Sequence, residues 1–279
     1  MLHIRRPAVA GMFYPADAAQ VTRQLEAMSL PFANLRPEAN PRLVMIPHAG
    51  WVYSGLAVAA TLSGVTFPDR VVILCPNHTG RGRALGVWPD GSWETPLGRV
   101  PVDATFAADL CARGYFEADV ASHAREHSIE VELPFLQRMR PDNPPAIVPI
   151  CIGLNQAGVL QGAGDILADA IASAEGETGI IVSSDMNHYE SAEVTAAKDK
   201  RALDSICAED PESLLRCCRA ERITMCGAGP MALALFALRR LRGGRASSRP
   251  PRVVVRDHSG RVTKDNTRVV GYAGVHVFA

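Results

Sequence analysis

No run of apolar residues in this sequence approaches the roughly 20 needed to cross a bilayer, so no membrane span is expected. Neither sign of charge predominates: Lys plus Arg and Asp plus Glu are both 29, a formal net charge of zero. Without a basic field the chain has nothing to draw in nucleic acid or an anionic membrane, and neither is expected as a partner. The seven cysteines include no CxxC pair, only the adjacent Cys217-Cys218. An odd number without framework spacing points to reduced thiols and a cytoplasmic protein. The opening Met1-Leu2-His3-Ile4-Arg5-Arg6-Pro7 has charge but no signal-peptide core behind it, in keeping with that expectation. Gly80-Arg81-Gly82 and the Gly162/Gly164 pair lack dinucleotide-fold or Walker spacing, so no nucleotide cofactor is expected. The G-x-S-x-G elbow of serine hydrolases is missing as well.

What the chain does have is a repeated layout. Leu43 to Ile46 is an apolar run suited to a strand buried on both faces, and it stops at Pro47-His48. The small turn Ala49-Gly50 and a helix-like segment from Ser54 to Leu62 follow. Arg70 to Leu74 repeats the theme and closes on Cys75-Pro76-Asn77-His78, and Gly179 to Val182 closes on Ser183-Ser184-Asp185-Met186-Asn187-His188. Carboxyl ends of strands line the ligand crevice in open α/β sheets, so His48, His78 and His188 are expected at one sheet edge. At 279 residues, 47% apolar and 21% charged, the chain reads as one α/β domain, 1–279, with a central mixed sheet flanked by helices.

Other elements follow from caps and periodicity. Helices are expected over 16–28 with Asp17 as cap, from Asp103 through Arg113, and over 128–139 despite Pro134. Further helices are expected over 155–174, 191–208, 211–220 and 228–242, and another buried strand over 146–150. Short β runs are expected around Val87-Trp88 and Arg99-Val100. Pro31–Pro41 and 242–251 read as connections, and 252–256 with 268–278 as two antiparallel edge strands.

A lone histidine after a strand is ordinarily a turn residue bonding a carbonyl. Two in matched positions, His48 and His78, point instead to a shared site, and paired imidazoles suit Fe, Cu, Zn or Ni if a third ligand exists. Cys226 is the best candidate: it stands just before an expected helix, where the dipole favours thiolate. Asp185 and His188 share one loop and are candidates for an acid/base pair. His123-x-x-Glu126-His127 matches the inverted zincin pattern, which needs one helix through both histidines. A helix starting near Ser128 does not supply that, and a contribution of Glu126 or His127 to the rim of the same pocket is the preferred reading.

Taken together, Pro47-His48-Ala49-Gly50-x-x-Tyr53-Ser54-Gly55, Pro76-Asn77-His78-Thr79-Gly80 and Glu126-His127-Ser128-x-Glu130-x-x-Leu133-Pro134-Phe135 resemble the Memo family. Ser183-Ser184-Asp185-x-x-His188-Tyr189, Cys226-Gly227-x-Gly229-Pro230, Val270-Gly271-Tyr272-Ala273 and Ala10-Gly11-x-Phe13-Tyr14-Pro15 agree, in the same order. The match is similar to the prokaryotic branch called AmmeMemoRadiSam system protein B, which implies association with a radical SAM protein and an AMMECR1-like protein. The resemblance further implies a class III extradiol dioxygenase-like fold, with Fe(II) or Cu on His48, His78 and Cys226. His188 would be the acid/base histidine, with Asp185, Tyr53, Phe13 and His127 around a small molecule or peptide. Those dioxygenases carry a carboxylate where Cys226 stands, and a sulfur ligand favours copper or a redox role. The function expected is a metal-dependent, dioxygenase-like redox protein. The alternatives are a non-enzymatic peptide- or protein-binding module built on the same pocket, and metal-free catalysis by Cys226 and His188.

Overall fold

In the computed structural model, which describes residues 2–37, 39–245, 247 and 249–278, each of the four apolar runs is a strand. Parts of the 31–41 and 242–251 connections, Glu38, Ala246 and Ser248, lie outside the described residues. The first half of the chain runs β1 (Ile4–Arg5), α1 (Ala18–Ser29), β2 (Leu43–Ile46), α2 (Trp51–Leu62), β3 (Arg70–Pro76), β4 (Leu85–Val87), β5 (Ser92–Thr95), β6 (Gly98–Pro101), α3 (Ala104–Ala112), β7 (Glu117–Ala118) and α4 (Ser128–Met139). The second half runs β8 (Ala146–Ile152), α5 (Ala157–Ser173), β9 (Thr178–Ser183), β10 (His188–Glu190), α6 (Ala192–Cys207), α7 (Pro211–Ala220), α8 (Ala228–Leu241), β11 (Arg252–His258), α9 (Gly260–Thr263) and β12 (Val269–Val277).

Nine of the described strands form one mixed sheet, ordered β10-β12-β2-β9-β3-β8-β4-β7, with β11 paired to β12. The central four, β2-β9-β3-β8, are parallel. Successive residues on them point to opposite faces. Leu43, Met45, Val72 and Leu74 pack into one core with α5 and α8. Val44, Ile46, Val71 and Ile73 pack into a second with α1, α2 and α4. Burial on both faces explains why these strands read as unbroken apolar runs. The architecture is a single α/β domain, its mixed sheet covered by helices on both sides. No described helix is long and apolar enough to cross a membrane.

The helices begin where the capping residues place them. The Asp17 and Asp103 carboxylates accept from the amides of Gln20 and Phe106, and α4 continues through Pro134 at the loss of one backbone hydrogen bond. Two expectations need correction. The second helix starts at Trp51, three residues before Ser54, because Gly50 caps it and the Trp51 amide is held by the Phe13 carbonyl at 2.8 Å. The pair 252–256 and 268–278 is antiparallel, but β12 is no edge strand: it pairs with β2, β10 and β11, and most of it is buried.

One topological fact positions the site. Strand β9 comes after β8 in sequence yet lies between β2 and β3. Its carboxyl end therefore emerges between the exits that carry His48 and His78.

Candidate metal centre

His48 is held from three sides. Its amide donates to Asp185 Oδ1 at 2.9 Å, its Nδ1 lies 2.7 Å from Ser183 Oγ, and its Nε2 lies 3.3 Å from Cys226 Sγ. Ser183 is opposite Ile46 in the β2–β9 register, so the end of one parallel strand supplies the clamps for the histidine leaving its neighbour. Cys226 is seated by the same loop: the Asp185 amide donates to Sγ at 3.2 Å, and the Gly227 amide donates to Ser184 Oγ at 3.0 Å.

His78 is held by Glu126. One carboxylate oxygen accepts the His78 amide at 2.7 Å and the other accepts from Nδ1 at 2.9 Å. Because an ionised carboxylate can only accept, Nδ1 carries a proton, and in the neutral ring Nε2 holds the lone pair. The ring centroids of His48 and His78 are 5.1 Å apart, and one donor atom each from His48, His78 and Cys226 lies within 4.8 Å of the others. The His127 ring stacks on His78 at 4.8 Å and stands 5.4 Å from His48. Phe13 closes on His127 at 4.8 Å. Phe13 is brought there by the N-terminal segment, which the buried Glu130 carboxylate gathers through Arg5, the amides of Ala8 and Val9 and the Tyr14 hydroxyl.

His78, Glu126 and His127 form a second cluster of the same compactness. Glu126 is fully buried and also accepts from the His127 amide and from both donors of Ser128. Its oxygens are occupied, which makes it a cradle for His78 and not a separate cation site. Of the two residues read as rim candidates, Glu126 is thus a buried support, and His127 is the one that stands beside the His48 and His78 rings.

The remaining expected residues divide: Asp185 belongs to the cluster, bonded to His48 and to Cys226, while the others stand apart from its ring contacts. His188 does not join the His48–His78 ring contacts. Its amide and Nδ1 bond Thr224 Oγ1 and the Thr224 carbonyl at 2.7 and 3.0 Å, and its ring meets Tyr189. Asp185 and His188 do not bond each other, since Asp185 is turned to the amides of His48 and Ala49. Tyr53 stands partly exposed on the first turn of α2. The inverted zincin reading fails, because His123 lies in the turn before α4, fully buried, with Nε2 bonded to the Gly86 carbonyl at 3.0 Å.

Burial governs the proton affinities. It pushes the pKa of His48 well below the ordinary imidazole value, helped by the neighbouring charges of His127 and His78, and keeps the ring neutral. At His78 burial works the same way, but the hydrogen bond and charge of Glu126 outweigh it and raise the pKa. Burial also works to raise Glu126, yet its bonds to His78 and Ser128 and the nearby imidazoles hold it far below the carboxylate range. Asp185 is pushed up to about 7 by burial, against the amides it accepts. The expectation that the start of α8 would favour a Cys226 thiolate is overturned: burial and the Asp185 charge raise the thiol, and the amides nearby do not compensate. Without a cation beside it Cys226 is a neutral thiol, a weak nucleophile.

The sequence profile described as Memo-like protein matches residues 5–276. The chain belongs to the Memo family. MEMO1 family proteins from Thermotoga maritima and Sulfolobus acidocaldarius are 38% and 36% identical, each over 98% of this chain and 99% and 98% of their own. One from Methanopyrus kandleri is 35% identical over 97% and 98%. A solved structure of an uncharacterized protein from Escherichia coli K12 gives a TM-score of 0.48 at 14% identity, over 84% of this chain and 98% of that one.

Within this Memo-family site, sequence reasoning missed Ser183, Ser128 and Thr224, the hydroxyl residues that hold the histidines. Ser183 stands in the Ser-Ser-Asp run at the end of β9, so its position was visible although its partner was not.

Proposed function

We propose that this Memo-family protein is a metal-binding redox protein that holds iron or copper on His48, His78 and Cys226. The approach of their three donor atoms to within 4.8 Å of one another carries the reading. The donor set fits such an ion: each imidazole already has its Nδ1 hydrogen-bonded, leaving Nε2 as the donor, and the third group is a sulfur suited to a borderline or soft first-row metal. Bound there, iron or copper would supply one-electron redox chemistry.

The protein's own groups divide the other tasks. Glu126 and Ser183 orient the two rings, and the burial of His48 keeps water from its side of the cluster. With its Nδ1 proton given to the Thr224 carbonyl, His188 offers Nε2 as a proton acceptor. Asp185, its pKa pushed up to about 7 by burial, is suited to take or give a proton near neutral pH. Phe13, His127 and Tyr53 would face a small molecule or peptide, and a dioxygenase-like oxidation is the activity this arrangement suits. Association with a radical SAM protein and an AMMECR1-like protein enters on the family resemblance alone.

The test is metal analysis of anaerobically purified protein beside a His48→Ala/His78→Ala/Cys226→Ala triple variant. One equivalent of Fe or Cu in the wild type and none in a folded triple variant is expected. Equal metal in both, or none in either after loading, would overturn the reading and leave a binding module as the better description.

A further inference from the structure

The His188 ring is aimed from a distance. Its own bonds run to Thr224, the amide to Oγ1 at 2.7 Å and Nδ1 to the carbonyl at 3.0 Å, so the ring is only as fixed as Thr224. Thr224 is held in turn by one side chain. Its amide and its hydroxyl both lie on Asn187 Oδ1, at 3.0 and 3.2 Å. Asn187 precedes His188 in the chain and is fully buried.

The partners settle the direction of each bond. A backbone N–H only donates, so Thr224 Oγ1 accepts from the His188 amide and spends its own proton on Asn187. The same rule orients the Asn187 amide. Its oxygen must face the Thr224 N–H, and its nitrogen faces Glu190 Oε2 at 2.7 Å and Thr195 Oγ1 at 3.4 Å. Lys198 pairs with that Glu190 oxygen at 2.6 Å and keeps it an ionised acceptor. Glu190 reaches back to Asn187 because Tyr189, between them and His188, takes a left-handed φ of 63° and the β10–β12 pairing is irregular from His188 to Glu190. Irregularities of this kind re-aim side chains beside functional sites. The Asn187 backbone is pinned as well: its amide donates to Asp199 Oδ1 at 2.9 Å, and its carbonyl accepts from the Gly271 amide at 2.8 Å.

We propose that Asn187 is a positioning residue for His188: by accepting both donors of Thr224 it fixes the hydroxyl and carbonyl that hold the ring as its Nδ1–H tautomer, with Nε2 turned out to accept a proton. The consequence rests on the reading of His188 as the proton acceptor of the site, though the geometry does not. Asn187→Ala removes the acceptor and frees Thr224. Asn187→Asp with Glu190→Gln exchanges the two groups instead: the aspartate still accepts from Thr224, and the glutamine amide donates where the asparagine did.

The experiment is nitrogen-15 NMR of the histidine rings in metal-free protein at about pH 8, where burial, which lowers the His188 pKa, leaves that ring neutral. His188 is expected to show the Nδ1–H form alone in wild type, a mixture of tautomers in Asn187→Ala, and the Nδ1–H form again in the Asn187→Asp/Glu190→Gln variant. A merely structural asparagine would lower the stability of Asn187→Ala and leave the ring of the folded protein as in wild type. That result would overturn the proposal. A double variant as disturbed as Asn187→Ala, or a wild type without the single Nδ1–H form, would overturn it too. If Asn187→Ala fails to fold, Asn187→Ser, whose oxygen stops short of Thr224, takes its place in the comparison. Failure of the wild type to bind iron or copper would overturn the metal reading instead and leave this measurement, made without metal, to decide the role of Asn187.

Discussion

The backbone amide of His48 donates to the Asp185 carboxylate across 2.9 Å, joining residues 137 apart in sequence. The contact exists because β9 lies between β2 and β3, in register with β2 up to Ile46 and Ser183. Asp185 thus holds the backbone that presents His48, besides any part in proton exchange. Asp185→Ala would leave the amides of His48 and Ala49 without their acceptor in a buried turn. The expected loss is about 1–3 kcal/mol in urea unfolding of the metal-free protein, with Asp185→Asn much closer to wild type. Equal stability of Asp185→Ala and wild type would show that the carboxylate does not hold this turn.

Glu126 should matter more, because it answers five donors and pairs with His78. Removing one partner of a buried pair costs on the order of 3–5 kcal/mol. The 34% exposure of the His78 side chain places Glu126→Ala near the lower end, about 3 kcal/mol. The pH dependence has a definite sign. Glu126, depressed below its ordinary 4.5, contributes stability above that value and loses it as the pH falls. His78, raised above its ordinary 6.5, contributes below that value and loses it as the pH rises through its folded pKa. The deficit of Glu126→Ala is therefore expected to be largest between pH 4.5 and 6.5. Denaturation of both proteins at pH 5.5 and pH 8.5 would check this, and a deficit larger at the higher pH would refute it.

Most of the fold was legible because its signals are local. The buried parallel strands are continuous apolar runs, the caps Asp17 and Asp103 precede their helices, and α4 and α7 begin and end at Ser128–Met139 and Pro211–Ala220 as read. What was not legible depends on long-range placement. Ser92–Thr95 and His188–Glu190 carry no apolar run to announce them as strands, and nothing local says that β12 would be covered by β2 on one side and β11 on the other. In the site the same division holds. His48, His78 and Cys226 were readable from their places after strands and before a helix. The state of Cys226 was not, because the helix terminus that favours thiolate is a local feature and the burial that defeats it is a tertiary one. His188 was grouped with Asp185 by sequence proximity, while its actual partner, Thr224, lies 36 residues away.

The seating of Cys226 makes the sharpest structural demand. Gly227 passes so close to the end of β9 that a Cβ on it would lie 2.3 Å from Ser184 Cβ, 2.5 Å from Ser184 Oγ and 2.8 Å from the Ser183 carbonyl oxygen. The nearest of these atoms belong to a short, buried side chain whose hydroxyl accepts the Gly227 amide, so they cannot swing aside. Gly227→Ala must push the 225–228 segment outward and carry Sγ of Cys226 away from His48 Nε2. An overpacking loss of about 1–3 kcal/mol is expected, with metal affinity falling further than this stability loss alone would bring about. Ala228→Gly, one residue on, is the control, since it perturbs the start of α8 without adding an atom to the contact. Comparing metal affinity in the two folded variants decides the matter. Retention of wild-type affinity by Gly227→Ala would mean that the cysteine sulfur need not sit where the β9 loop holds it, and the thiol would lose its place among the proposed ligands.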